Sequence, residues 1–195
     1  MNRLLLIILI SFSYTSISSQ SLIEAAITGK SKIVYEKPFK FNIKNGKWDL
    51  KYRMESLNEQ KSNPNKSNIL TDSLIVKELC KKAENQKLKN WSEEELDNIY
   101  LAKNTEYLNI KTIKNTLNLT QKSEIKILKK QIRQYNSYKN KWRSFPLSLS
   151  RPVYSENKEY ALIAFNYGNN GGEIVIYQKI KENWINVGVI EGWAY

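Results

Sequence analysis

Two hydrophobic periods divide this chain. Between residues 71 and 141 apolar side chains recur at steps of three and four, the spacing of one helix face, and from residue 151 they gather into short strand-like runs. Upstream, Ser21–Thr28 predicts a short helix closed by Gly29, and Ile33–Tyr35 predicts a strand. Phe39–Tyr52 predicts a β-hairpin around Asn45-Gly46, the preferred two-residue turn. That register puts Ile43 opposite Trp48, Phe41 opposite Leu50 and Phe39 opposite Tyr52, an apolar face expected to be core. Residues 58–68 hold no apolar side chain and contain Pro64, which predicts a loop or linker.

The helical stretch is expected to begin near Thr71 or Asp72, with Ile75, Leu79 and Ala83 as its stripe and Val76 and Cys80 beside them. Ser92 and Glu95 form a capping-box pattern, which predicts a helix carrying Leu96, Ile99 and Tyr100. Tyr107–Leu117 reads as a shorter helix with Ile110, Ile113 and Leu117 on one side. Thr120 is expected to cap a longer one that buries Ile125, Leu128, Ile132 and Tyr135, and Phe145-Pro146 to stop the helical region. Strands are expected at Arg151–Tyr154, Tyr160–Tyr167, Glu173–Ile180 and Trp184–Ile190, with connections short enough for an antiparallel meander. The fold class is therefore α+β: helices (about 71–141) packed on an antiparallel β-meander (about 151–190), with an N-terminal hairpin (39–52).

The first residues have a different character. Arg3 followed by the apolar run Leu4–Ile10 and small polar residues reads as an export signal, cleaved after Ser18 or Ser19. The apolar run is about half of the ~20 residues a membrane span needs. No Cys follows it, so a lipid anchor on a mature N-terminal Cys is excluded. The expectation is an exported, periplasmic or secreted single domain over residues 20–195, without a transmembrane span once the signal is removed.

Composition narrows the chemistry. The chain has 195 residues, 41% hydrophobic and 11% aromatic, enough for a real core. It has no His, which removes Ser-His-Asp triads, Cys-His dyads and His-built zinc sites. A single Cys excludes an intrachain disulfide framework and any multi-thiolate metal site, and no cofactor is called for. On its helix stripe Cys80 reads as a small buried hydrophobe, with an intermolecular disulfide as the sharper alternative.

The net charge of +12 is unevenly spread. From Lys103 to Arg143 eleven basic residues face two acidic ones, whereas from Arg151 to Tyr195 four face five. Lys122, Lys126, Lys129 and Arg133 follow steps of four, three and four along one helix, with Lys130 next to them, and form one basic row. Such a row suits an anionic partner: lipopolysaccharide, teichoic acid, acidic glycans or an acidic protein; for a binding module, the candidate partners are envelope polymers, another envelope protein or a secreted toxin that it neutralises. A solvated face that only maintains solubility is the plainer alternative. Nucleic acid is disfavoured, because the cations are mostly Lys and the chain carries an export signal. The alternative function is a carboxylate-dependent hydrolase of the cell envelope, drawing on Glu156, Glu159, Glu173, Glu182 or Glu191. The Glu93-Glu94-Glu95-Asp97 cluster reads as acidic residues favoured in a first helical turn rather than a cation site.

The segment from Gln131 through Trp142 into Ser148-Leu-Ser-Arg-Pro-Val-Tyr-Ser and Tyr160-Ala-Leu-Ile, then Gly171-Gly, Tyr177-Gln-Lys and Trp184, resembles a group of small uncharacterised exported proteins of Bacteroidetes. The likeness covers roughly the last 65 residues. Tyr154 stands where Phe is usual, and the turn Gly168–Gly172 lacks the Cys pair often found there, so no disulfide or metal role transfers. The resemblance implies export and architecture, and supplies no catalytic residues. Pro152 is expected on an edge strand, Gly171 and Gly172 at a turn with positive φ, and Trp142, Trp184 and Trp193 in core packing.

Overall fold

Ser21 is extended and its hydroxyl oxygen accepts the Glu24 N–H at 3.1 Å, so α1 (Leu22–Ile27) starts on a capped turn. Gly29, at φ +76°, ends it, as the sequence predicts. The computed structural model describes residues 21–41, 73–103, 107–137 and 145–194. The expected signal segment, the hairpin beyond Phe41, the linker at 58–68, Thr71, Asp72 and Trp142 lie outside the described residues.

β1 (Ile33–Tyr35) forms as expected, but its partner was not foreseen. It pairs in parallel with β2 (Tyr100–Ala102), Ile33 opposite Tyr100 and Tyr35 opposite Ala102. The helix predicted after Ser92 is thus corrected. The capping interaction is made, with the Ser92 N–H donating to Glu95 Oε2 at 3.0 Å, yet only one 3-10 turn, Glu93–Glu95, follows. Asn98 at φ +54° then redirects the chain, and pairing with β1 satisfies the backbone that a helix would have satisfied locally. Leu96 and Ile99 are buried all the same.

α2 (Ser73–Glu84) buries Leu79 and Ala83 of the predicted stripe, but Ile75 is only partly buried; Val76 and Cys80, expected beside the stripe, are fully buried, so the helix is rotated toward them. α3 (Ile110–Thr116) is capped by Asn109, whose Oδ1 accepts the N–H groups of Lys111 and Thr112. α4 (Lys122–Asn136) begins one residue later than expected: Gln121, not Thr120, is the last extended residue, and no side chain caps the helix. Leu128, Ile132 and Tyr135 are buried, while Ile125 is only half-buried, so the buried stripe starts a turn later than its spacing suggests. The helix also ends at Asn136, well before Phe145-Pro146.

The C-terminal sheet contains β3 (Ser148–Leu149), β4 (Val153–Tyr154), β5 (Tyr160–Asn166), β6 (Gly172–Ile180) and β7 (Asn183–Trp193), all antiparallel. β5 pairs with β6 on one side and with β3 and β4, end to end, on the other. The single strand expected at Arg151–Tyr154 is therefore two short ones with a break between them. Pro152 brings no N–H to that break, and Ser150 fills it. The Ser150 N–H donates to the Ala164 carbonyl at 2.9 Å, and Ser150 Oγ accepts the Ala164 N–H at 2.8 Å. Ser155 repeats the device with Tyr160, donating N–H at 2.9 Å and accepting on Oγ at 3.0 Å. Pro152 does lie on the sheet's edge, and its carbonyl accepts from Gln86 Nε2 just beyond α2.

Both faces of this sheet are covered, which explains why Tyr160–Phe165 is a continuous apolar run rather than an alternating one. On one face Leu162, Ala164, Ile174 and Ile176 meet α2 and Phe41. On the other Ala161, Ile163, Phe165 and Val175 meet α1, Val34, Trp91 and Leu96. A third cluster joins α3 and α4 to the small parallel pair through Ile33, Ala102, Leu108, Ile113 and Phe145. The helices are thus divided between two sheets. Of Gly171 and Gly172, only the first has positive φ (+98°), which Gly168 at the start of the turn shares (+58°); Gly172 is needed because a Cβ there would collide with the Phe165 carbonyl and the Trp193 ring. Trp184 and Trp193 pack partly buried against the two faces, Trp193 stacked on Phe39 at 6.0 Å.

Candidate functional site

Burial of Leu128, Ile132 and Tyr135 fixes the rotation of α4 and turns Lys122, Lys126, Lys129, Lys130 and Arg133 outward, where all five are exposed. Among the described residues no carboxylate pairs with them. Glu124 is on the same helix, but its neighbours three and four residues on are Ile127 and Leu128, so it has no cation to meet along α4. At 1.5 Å per residue, Lys122 to Arg133 spans about 16 Å of surface.

The row ends in a groove. Tyr107–Ile110 and the last turns of α4 enclose a cleft of about 490 Å³, lined by Tyr107, Asn109, Lys129, Ile132, Arg133 and Asn136 among others. Its shape is set by a clamp: Asn136 Nδ2 donates to the Leu108 carbonyl at 2.9 Å, and Asn136 Oδ1 accepts the Leu108 N–H at 3.1 Å. Leu108 is buried by this, and Tyr107 is left 75% exposed. Asn109 spends its Oδ1 on the cap of α3. Among the described residues the groove has two cations, an open aromatic ring, amide groups and no carboxylate in its wall. The basic row was legible from spacing; Tyr107 and the groove were not, because Tyr107, expected to open a helix over Tyr107–Leu117, lies before the Asn109 cap of α3, which starts only at Ile110.

A second concavity, of about 750 Å³, lies between α1 and residues 94–99 and mixes Glu24, Glu94 and Asp97 with Lys30 and Lys32. Glu95, at its edge, is committed elsewhere. Arg151 Nη1 and Nη2 donate to the two Glu95 oxygens at 2.7 and 3.0 Å, and the guanidinium also donates to the carbonyls of Lys89 and Asn90. The same guanidinium lies 3.9 Å from the centre of the Trp91 ring, whose Nε1 donates to the Leu149 carbonyl. The Arg151 guanidinium and the Ser92 amide hold the Glu95 carboxyl down to about 2. The acidic cluster, expected in the first turn of a helix, sits instead in a single 3-10 turn, Glu93–Glu95, with no α-helix after it. Among the described residues no group of His, Cys, Asp and Glu could hold a metal ion.

The carboxylates considered for hydrolysis are dispersed. Glu156, Glu159 and Glu182 lie in or beside turns at one end of the sheet and are exposed, while Glu173 and Glu191 lie at the other end. Glu173 Oε1 accepts from Lys30 Nζ at 2.8 Å and from Tyr167 Oη at 2.7 Å. Burial works to raise its pKa, and the ammonium and the hydroxyl outweigh that, leaving it below the ordinary carboxylate value. Glu78, bound to Lys82 Nζ and the Glu156 N–H, is lowered as well. Carboxylates held ionised in this way are suited to pairing, not to donating a proton.

Compared with protein-family models, curated proteins and solved structures, the chain matches none. Among the described residues no helix is long and apolar enough to cross a membrane.

Proposed function

We propose that this chain is an exported, non-enzymatic binding module that holds an anionic polymer of the cell envelope on α4. The observation that carries this is the unopposed row Lys122, Lys126, Lys129 and Arg133, with Lys130 beside it, running into a groove whose described wall contains no carboxylate. Like charges at three- and four-residue spacing repel, and an anion lying along them relieves that repulsion while releasing its own counterions. Export is supported by the Arg3 and Leu4–Ile10 pattern. The resemblance to small exported Bacteroidetes proteins points the same way.

The test is a salt elution. Wild type and a Lys126→Gln, Lys129→Gln, Arg133→Gln variant are run on immobilised heparin and on lipopolysaccharide. Earlier elution of the folded variant is expected; elution of both at the same salt would reduce α4 to a solvated face.

A further inference from the structure

We infer that the groove at the end of the basic row is a subsite for one acidic sugar residue of a glycan chain, with Tyr107 as its stacking platform. This rests on the proposed anion-binding role of α4 and names its substrate class.

A row of lysines alone attracts any polyanion. The groove adds two things that a bare row lacks. Lys129 and Arg133 stand one helical turn apart on one wall, about 6 Å along the axis, so a single carboxylate or sulfate is within reach of both. The same groove is lined by the Tyr107 ring, 75% exposed, more than any other large apolar side chain among the described residues. An exposed ring face carries negative partial charge, and the C–H bonds on one side of a pyranose carry positive partial charge, so the two stack. Asn109, with its oxygen used in the α3 cap, retains its NH2 donors for a hydroxyl. An anionic group, an apolar ring face and hydroxyls belong together in an acidic sugar.

The geometry is held in place before any ligand arrives. Asn136 ties Leu108 to α4 through both its donor and its acceptor, so Tyr107 and Arg133 are carried by elements locked to each other. A single-stranded nucleic acid would also present anions and flat rings, but it is bound by several aromatics stacking successive bases. The groove has one aromatic ring in its described wall.

The experiment measures binding of the full chain to three probes of matched charge: a heparin hexasaccharide, inorganic polyphosphate and a single-stranded oligothymidylate. Tyr107→Ala is expected to weaken the hexasaccharide about five- to tenfold, the size of one aromatic contact, and to leave polyphosphate within about twofold. The Lys129→Gln, Arg133→Gln variant is expected to weaken both. Asn136→Ala, which unties Leu108 and Tyr107 from α4, is expected to weaken the hexasaccharide more than polyphosphate. If Tyr107→Ala leaves the hexasaccharide unchanged while the cation variant still loses both probes, the sugar subsite is overturned and the basic row stands. If neither anionic probe binds wild type, both fall. If oligothymidylate binds more tightly than the hexasaccharide and depends on Tyr107, the groove is a base-stacking site and the inference is overturned.

Discussion

The C-terminal sheet and the α3–α4 unit handle polar groups in opposite ways. At the sheet, several polar side chains are tied to one another or to backbone groups. Ser150 and Ser155 complete the interrupted edge of β5, Arg151 joins Glu95, Trp91 and two carbonyls, and Lys30, Tyr167 and Glu173 close on one another. On α4 the charged groups point outward and meet no described carboxylate. A surface whose hydrogen bonds are already filled has little left for a ligand. The difference teaches where binding is to be sought: on the unit that has kept its charges and, among its described residues, an open ring.

The contrast in packing gives the largest expected effect. Phe165 is fully buried with both faces of its sheet covered, so Phe165→Ala should destabilise the chain by about 3–5 kcal/mol. Ile127 on α4 is 59% exposed, and Ile127→Ala should change stability by less than about 0.5 kcal/mol. Urea unfolding followed by circular dichroism compares the two. A loss of several kcal/mol at Ile127 would mean that α4 is covered in solution and would remove the contrast.

Next come the polar clamps, one in each region. Ser150→Ala leaves the buried Ala164 N–H without its acceptor and should cost about 1–3 kcal/mol. Asn136→Ala strips two hydrogen bonds from Leu108 at a partly solvated site, and about 1–2 kcal/mol is expected. Hydrogen exchange sharpens the comparison. If the regions open as separate units, Ser150→Ala should weaken protection of β5 and β6 and Asn136→Ala that of α3 and α4. Equal loss of protection everywhere in both variants would show a single cooperative unit.

Much of this fold is legible in the sequence because it is local. The Ser21 cap with Gly29, the stripe of α2, the row on α4 and the runs of β5 and β6 all follow from spacing and turn chemistry. What escapes is set by distant partners. Leu96–Tyr100 has a helix's start signal, yet β1, some 65 residues upstream, captures Tyr100–Ala102 as a parallel strand. Arg151 is expected at the start of a strand, before Pro152; only the fold brings Trp91 and Glu95 to it. The groove is illegible for the same reason: Tyr107 gains its place from the Asn136–Leu108 clamp, between segments 28 residues apart.

Acid should reach the sheet region first. Glu95 has an ordinary value of 4.5 when unfolded and about 2 when folded, so protonation favours the unfolded chain. Its contribution is fully present above about pH 4.5 and is lost as the pH falls toward 2. Glu173, also lowered, acts in the same direction. Thermal melting points measured from neutral pH to pH 2 should fall more steeply in wild type than in Glu95→Gln, which has nothing to protonate there. Parallel curves would mean that the Arg151–Glu95 pair does not set the acid limit.

The smallest expected effect belongs to the basic row, and its sign matters. Replacing Lys126, Lys129 and Arg133 with Gln removes the like-charge neighbours Lys122–Lys126, Lys126–Lys129, Lys126–Lys130, Lys129–Arg133 and Lys130–Arg133. Each such pair opposes the helix by a few tenths of a kcal/mol. Gln is close to Lys and Arg in helix propensity, so propensity adds little. Losing Arg133 from the last turn of α4 removes a favourable interaction with the helix dipole, which offsets part of the gain. The net expectation is a variant as stable as wild type, or more stable by about 0.5 kcal/mol, at low salt. In about 1 M salt, where screening acts within about 3 Å, the difference should vanish. Urea unfolding at the two ionic strengths decides it. A variant that is less stable by 1 kcal/mol or more at both would show that these cations hold the fold together, as Arg151 does, and its weaker grip on a polyanion would then say nothing about binding.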